Sequence, residues 1–311
     1  MRLRPHHQVA PMLLAGMAIA VCAGCATSPQ PIRTSNGVGK VVPVAASINA
    51  WGSILAQLGG AHVSAASIIA SPATDPHDYQ PTPADSRTIA ESRVFVENGV
   101  GYDSWAAKSV AANPEPARTV VDVGTVVGVP EGGNPHRWYS PGDVEKVADA
   151  ITSALKKTDP EDAAYFDRRR TDFDRTGLAE YHRLIAEIKS RYAGTPIGAS
   201  ESILAPLAEA LGLKLVTPPS FLKAISEGTD PSAADKAAVD AQLTGKKIKV
   251  YVFNSQNSTP DVAAQVAAAK KAGIAVTTVT ETLTPVGARF QDWQSAQLRS
   301  LESALRQATG R

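Results

Sequence analysis

A chain of 311 residues is long enough for two lobes of ordinary size, each burying its own core. Its 31 basic and 30 acidic residues nearly balance, and no long run of either sign gives footing to a nucleic-acid or polyanion partner. In the first 25 residues, Arg2 and Arg4 precede an apolar run from Met12 to Val21, closed by Cys22-Ala23-Gly24-Cys25. A run of about 10 apolar residues falls well short of the roughly 20 that span a bilayer and matches the core of an export signal. The small pair Ala23-Gly24 predicts cleavage before Cys25 and acylation of that cysteine, as at a bacterial lipobox, with Cys22 standing where leucine is usual. Residues 1–24 are then a signal peptide, and acyl chains hold the protein on the extracytoplasmic face of a membrane without a spanning helix. Both cysteines are spent in this way, which excludes disulfide and thiolate chemistry in the folded part. Residues 25–40, rich in Pro, Ser, Gly and Asn, read as a flexible tether.

Folded structure is expected from Val41. "KVVPVAAS" reads as a buried strand, "NAWGSILAQLGG" as a helix stopped by Gly59-Gly60, and "HVSAASIIA" as a second strand. A helix from about Pro83, with Thr82 as its cap, a strand "RVFVEN", a helix near "DSWAAKSVAA" and a strand "RTVVDVG" continue the alternation. From Pro141 the strands stop: one helix covers "GDVEKVADAITSALKK" and a second runs about 30 residues, to Tyr192, as a rigid connection. Strands return at "PIGAS", "LKLVT", "IKVYVF" and "IAVTTVT", separated by helices that include Asp230–Leu243, and a helix beginning "RFQDW" closes the chain. The predicted fold is α/β: two doubly wound lobes, 41–158 and 193–311, joined by a long rigid helix over 159–192, with the ligand site in the cleft between them.

Ligands of open α/β sheets bind beyond the carboxyl ends of the strands, and four side chains with metal-binding chemistry follow predicted strands. His77 and His136 lie in the first lobe, and Glu201 and Glu281 in the second, with Glu201 expected to start the helix after "PIGAS". Two neutral imidazoles, two carboxylates and one divalent ion sum to zero charge, so such a site can be buried. His77 in "DPHDY" and His136 in "NPHRW" share the frame Asn/Asp-Pro-His-x-aromatic. Its proline fixes the backbone before the ring, and its aromatic can shut out water. His6 and His7 belong to the signal, His62 to a strand start and His182 to the outer face of the long helix; all four are read as structural.

"ATDPHDYQPTPAD", "NPHRWYSPGDVEKVADAI", "ASESILAPLAEALGL" and "TETLTP", with the lipobox and the long middle helix, resemble the metal-binding lipoproteins of zinc and manganese ABC importers over about Val41–Ala308. The resemblance implies a two-lobed, monomeric solute-binding protein that captures one divalent ion and passes it to the permease subunit of an ABC importer. It places the metal ligands at His77, His136, Glu201 and Glu281. Asn134 stands where that family usually has Asp before Pro-His-x-Trp, and Glu281 is one methylene longer than the usual Asp. The short "VGVPEGGN" replaces the His- and acid-rich loop of many zinc-specific members. Together with Glu at the third position, this leans the resemblance toward Mn2+ over Zn2+, with Fe2+ also acceptable to the donor set. The alternatives are a surface lipoprotein of the same fold acting mainly as an adhesin and, further off, a metallohydrolase. Against the latter, the chain has no His-Glu-x-x-His, no Gly-x-Ser-x-Gly and no phosphate loop.

Overall fold

The computed structural model describes residues 41–74, 79–257 and 259–311; the expected signal, Cys25, the tether and His77 lie outside the described residues. The chain begins with β1 (Val42–Ile48), α1 (Asn49–Gly59), β2 (Val63–Ile69), α2 (Pro83–Glu91), β3 (Val94–Glu97), α3 (Ser104–Ala112), β4 (Thr119–Asp122) and the short α4 (Val123–Val127). Next come α5 (Pro141–Thr158), α6 (Ala163–Asp172) and α7 (Ala179–Tyr192) without an intervening strand. The rest comprises β5 (Pro196–Ala199), α8 (Ala205–Ala210), β6 (Lys214–Leu215), α9 (Pro219–Ser226), α10 (Ala233–Thr244), β7 (Val250–Asn254), α11 (Pro260–Lys271), β8 (Ala275–Val279) and α12 (Phe290–Thr309).

The described strands form two wholly parallel four-stranded sheets, ordered β2-β1-β3-β4 and β6-β5-β7-β8. This is the expected α/β architecture of two lobes. The strand order reverses between β1 and β3 in one sheet and between β5 and β7 in the other, and crevices open at such switch points. One apolar core runs from the first sheet through Trp51, Trp138 and Tyr139 to Phe290 and Trp293 of α12. Separate clusters line the outer faces: Ala45, Ile89, Phe95 and Ala106 in the first lobe, and Phe221, Val239, Tyr251 and Val262 in the second. Side-chain hydrogen bonds also tie the lobes: Ser53 Oγ accepts from the Phe290 N–H at 2.9 Å, and the Tyr139 hydroxyl donates to the Thr280 carbonyl at 2.8 Å. No helix among the described residues is long and apolar enough to cross a membrane.

The middle segment departs from the single long helix expected of it. A 3-10 turn at Pro160–Asp162 opens it, and a π-helical turn at Phe173–Gly177 separates α6 from α7. There the Leu178 N–H reaches back to the Phe173 carbonyl at 2.8 Å, and His182 N–H bonds to the Leu178 carbonyl. The burial pattern explains the extra residue. Phe166 and Phe173 are buried seven apart, and an uninterrupted helix would next bury position 177, which is glycine; the wider turn brings in Leu178, followed by Tyr181, Leu184, Ile188 and Tyr192.

Smaller differences have local causes. Thr82 caps α2 as expected, accepting from the Asp85 N–H at 3.3 Å while Asp85 Oδ2 accepts from the Thr82 N–H at 2.6 Å. Asp122 ends β4 and caps α4, so the tail expected to be strand turns helical and stops at Gly128 in the left-handed region. Glu201 does not start a helix: it is extended, and a 3-10 turn over Ser202–Leu204 leads into α8. Helix α10 starts at Ala233 rather than Asp230 because Ser232 caps it.

Candidate metal centre

His136, Glu201 and Glu281 come together at the carboxyl edges of the two sheets. Glu201 follows β5 and Glu281 follows β8, while His136 lies on the connection between β4 and α5. All three are withdrawn from solvent, at 0, 1 and 6 % exposure. His136 Nε2 lies 3.8 Å from Glu281 Oε1. His77, the fourth predicted ligand, is outside the described residues. Tyr79 packs edge-on to Trp105 at 5.1 Å and donates to Asp85 Oδ2 at 2.7 Å, which moors the chain two residues after His77.

Asn134 sets the His136 ring. Its Oδ1 accepts from the His136 backbone N–H at 3.0 Å and lies 2.9 Å from Nδ1. A proton held on Nδ1 for that carbonyl leaves Nε2, on the side of Glu281, with a lone pair for a metal. The amide oxygen thus does what the expected Asp would do, without adding a charge. Tyr102 and Trp138 flank the ring edge-on at 6.0 and 5.4 Å, and Trp138, from the "NPHRW" frame, is fully buried. Asn134 also reaches the other lobe, its Nδ2 donating to the Ser202 carbonyl at 2.8 Å. Asn134→Ala is expected to weaken divalent-metal affinity about 10- to 100-fold. Competition against a chelating dye measures this, and an unchanged affinity would mean that ring packing alone orients His136.

The two carboxylates carry most of the electrostatic strain. Burial, then repulsion by Glu281, pushes the Glu201 carboxyl up to about 7, although His136 and two asparagines pull it the other way. Those asparagines went unrecognised in the sequence. Asn254, the last residue of β7, donates from Nδ2 to Glu201 Oε1 at 2.5 Å and to Glu281 Oε1 at 3.2 Å. Asn257 donates to Glu201 Oε2 at 2.8 Å. Glu281 Oε2 accepts from the Tyr102 hydroxyl at 2.8 Å, across from the first lobe. The visible signal is "VYVFNSQN", a strand running into three amides, none of which carries the imidazole or carboxylate that marks a transition-metal ligand.

Tyr102 rides on a loop of unusual backbone. Val100, a β-branched residue, has φ +58° between Gly99 at +65° and Gly101 at +82°. A strain on the order of 1–3 kcal/mol attends such a residue. The Asp103 carboxylate holds the loop by accepting from the Asn98 and Gly99 N–H groups at 2.7 and 2.8 Å. Asn98 in turn accepts from the Trp51 indole at 2.9 Å and donates to the Pro135 carbonyl at 3.0 Å, one residue before His136. The other described histidines sit beside carboxylates: His62 Nδ1 lies 2.6 Å from Asp162, and His182 Nε2 lies 3.1 Å from Glu145.

The chain resembles several known proteins. It is 28 % identical over 156 residues to the manganese-binding lipoprotein MntA of Halalkalibacterium halodurans, covering 48 % of this chain and 50 % of that one. It is 22 % identical over 197 residues to the high-affinity zinc uptake system protein ZnuA of Bacillus subtilis (58 and 60 %). To the iron-binding protein YfeA of Yersinia pestis it is 27 % identical over 173 residues (52 and 54 %). The chain thus spans about half to three fifths of the length of these relatives. In three dimensions it superposes on a Mn-bound mutant of the periplasmic metal binding protein of Candidatus Liberibacter asiaticus with a TM-score of 0.72. That match has 21 % identity and covers 86 % of this chain and all of the other, which shows a shared fold. Residues 44–304 match the family model described as zinc-uptake complex component A, periplasmic, and the chain belongs to that ZnuA family.

Proposed function

We propose that the protein captures a single divalent transition-metal ion, Mn2+ or Zn2+ with Fe2+ also accommodated, and delivers it to the permease subunit of an ABC importer. The ligands are His77, His136, Glu201 and Glu281, and the protein works as a monomeric carrier rather than a catalyst. The observation that carries this reading is the buried meeting of His136, Glu201 and Glu281, with Asn134 Oδ1 beside Nδ1 of the ring. Relatives named for binding manganese and iron and for zinc uptake support a transition metal. Raw affinity of such a nitrogen and oxygen set rises toward Zn2+, so preference for Mn2+ depends on geometry and supply.

Residues 41–158 and 193–311 act as the two lobes and 159–192 as their connection. Acylation of Cys25 anchors the carrier on the extracytoplasmic face of the membrane, and residues 25–40 tether it there. Elemental analysis of protein isolated from its native compartment tests the function. About one equivalent of transition metal is expected, lost on His77→Ala/His136→Ala; a metal-free native protein, or full occupancy in that variant, would overturn the assignment.

A further inference from the structure

Residues 280–283 carry Glu281 out of β8 and belong to no strand or helix, yet side-chain amides accept each of their N–H groups. Gln297 Oε1 of α12 takes the Thr280 N–H at 2.8 Å, and Asn49 Oδ1 of α1 takes that of Leu283 at 3.3 Å. Between them, Gln256 Oε1 takes both the Glu281 N–H at 2.7 Å and the Thr282 N–H at 3.0 Å. Gln256 Nε2 in turn donates to Thr282 Oγ1 at 2.7 Å, which settles the direction of the amide, since its NH2 end could not face two N–H groups. Glu281 and Thr282 are both buried, where an N–H left without an acceptor is costly. The backbone of Gln256 acts on the carboxylates as well. Its N–H donates to Asn254 Oδ1 at 2.9 Å, which turns Asn254 Nδ2 toward Glu201 and Glu281.

On the reading of the cleft as a metal site, on which this rests, we propose that Gln256 is a positioning residue for metal capture: it fixes the backbone of Glu281 and with it the shape of the coordination shell. A glutamate carboxylate stands at the end of a chain of rotatable bonds, so where it meets an ion depends first on where its Cα is held. Hydrogen bonds behind the ligands keep such a site within about 0.5 Å of its working geometry. An acidic side chain could accept the same two N–H groups, but it would bring a third negative charge to a buried pair; the amide accepts them without charge. Asn134 serves His136 in the first lobe by the same means, a neutral carbonyl oxygen set behind the ligand.

The test titrates the mature chain with Co2+ at pH 8, because the visible absorption of bound cobalt reports the number and geometry of its ligands. Gln256→Leu removes the acceptor at similar size. It is expected to bind Co2+ about 10- to 100-fold more weakly than the parent, with absorption bands altered in position or intensity. Gln256→Asn keeps an amide but falls one methylene short of the two N–H groups, and should move both readouts the same way. Gln256→Glu retains an acceptor oxygen at full reach and should return the parent bands. A residue that only stabilised the fold would lower Tm and leave the bands of the bound protein in place. Parent affinity or parent bands in Gln256→Leu and Gln256→Asn, or no recovery in Gln256→Glu, would overturn the role of Gln256 alone. No Co2+ binding by the parent, or binding unchanged in His77→Ala/His136→Ala, would overturn the metal site and this role with it.

Discussion

Adding Mn2+ or Zn2+ to the metal-free protein at pH 7.5 is expected to raise its Tm by about 5–10 °C, and the His77→Ala/His136→Ala variant is expected to show no shift. The size follows from linkage: free ion at about 100 times Kd contributes about 2.7 kcal/mol, and each kcal/mol moves a protein of this size by roughly 2–4 °C. The shift should depend on pH with a definite sign. In the folded metal-free state Glu201 holds its proton up to about 7, whereas the unfolded chain loses it near 4.5. The folded state therefore binds more protons across that window, and metal-free stability falls as pH rises through it. The metal needs the carboxylate, so the gain in Tm should be small at pH 5.5 and complete only above about pH 7. Thermal melts with and without ion from pH 5 to 8 check both slopes. A shift that persists in the double variant, or one indifferent to pH, would contradict the site.

The second large effect is expected at Asn254, whose single amide serves both carboxylates. Asn254→Leu keeps the size of the side chain and removes its N–H, leaving two acids facing each other with less to separate them. At pH 8 the metal-free variant should lose on the order of 2–4 kcal/mol, the cost of leaving buried charge without its donor. Near pH 5 one acid is protonated and can itself donate, so the loss should shrink by half or more. Urea unfolding at the two pH values makes the comparison. Equal losses at both would show that Asn254 contributes packing alone.

Nearly all of the strand and helix alternation was legible because apolar runs bounded by glycine and proline have few other readings. Two short helices escaped. The five residues of α4 continue an apolar strand, and only the capping bond from Asp122 to Thr125 distinguishes them. Helix α9 sits in "PPSFLKAIS", where the paired prolines read as a loop although Pro219 suits a first helical turn. In the site, His136, Glu201 and Glu281 were found by type and by position after a strand. The asparagines could not be found that way, because what matters about Asn254 and Asn257 is which oxygen their N–H groups reach, and that depends on register between β5, β7 and β8. The role of Asn134 was hidden for the opposite reason. It looked like a missing charge, but orienting an imidazole needs a hydrogen-bond acceptor, and an amide carbonyl is one.

The π-turn between α6 and α7 acts as a phase correction. Each residue of an α-helix advances the side-chain direction by about 100°. Deleting one of residues 174–177 would therefore be met by an ordinary α-turn, which puts Leu178 where an uninterrupted helix buries its next side chain and keeps Tyr181 and Leu184 on the core, whereas one residue inserted within α6 or α7 would rotate everything after it by that angle. Substitutions on the charged face of this segment should be absorbed easily, whereas a residue inserted in or removed from α6 or α7 themselves would misalign the second lobe against the first. In this connection, residue count is a stricter requirement than residue identity.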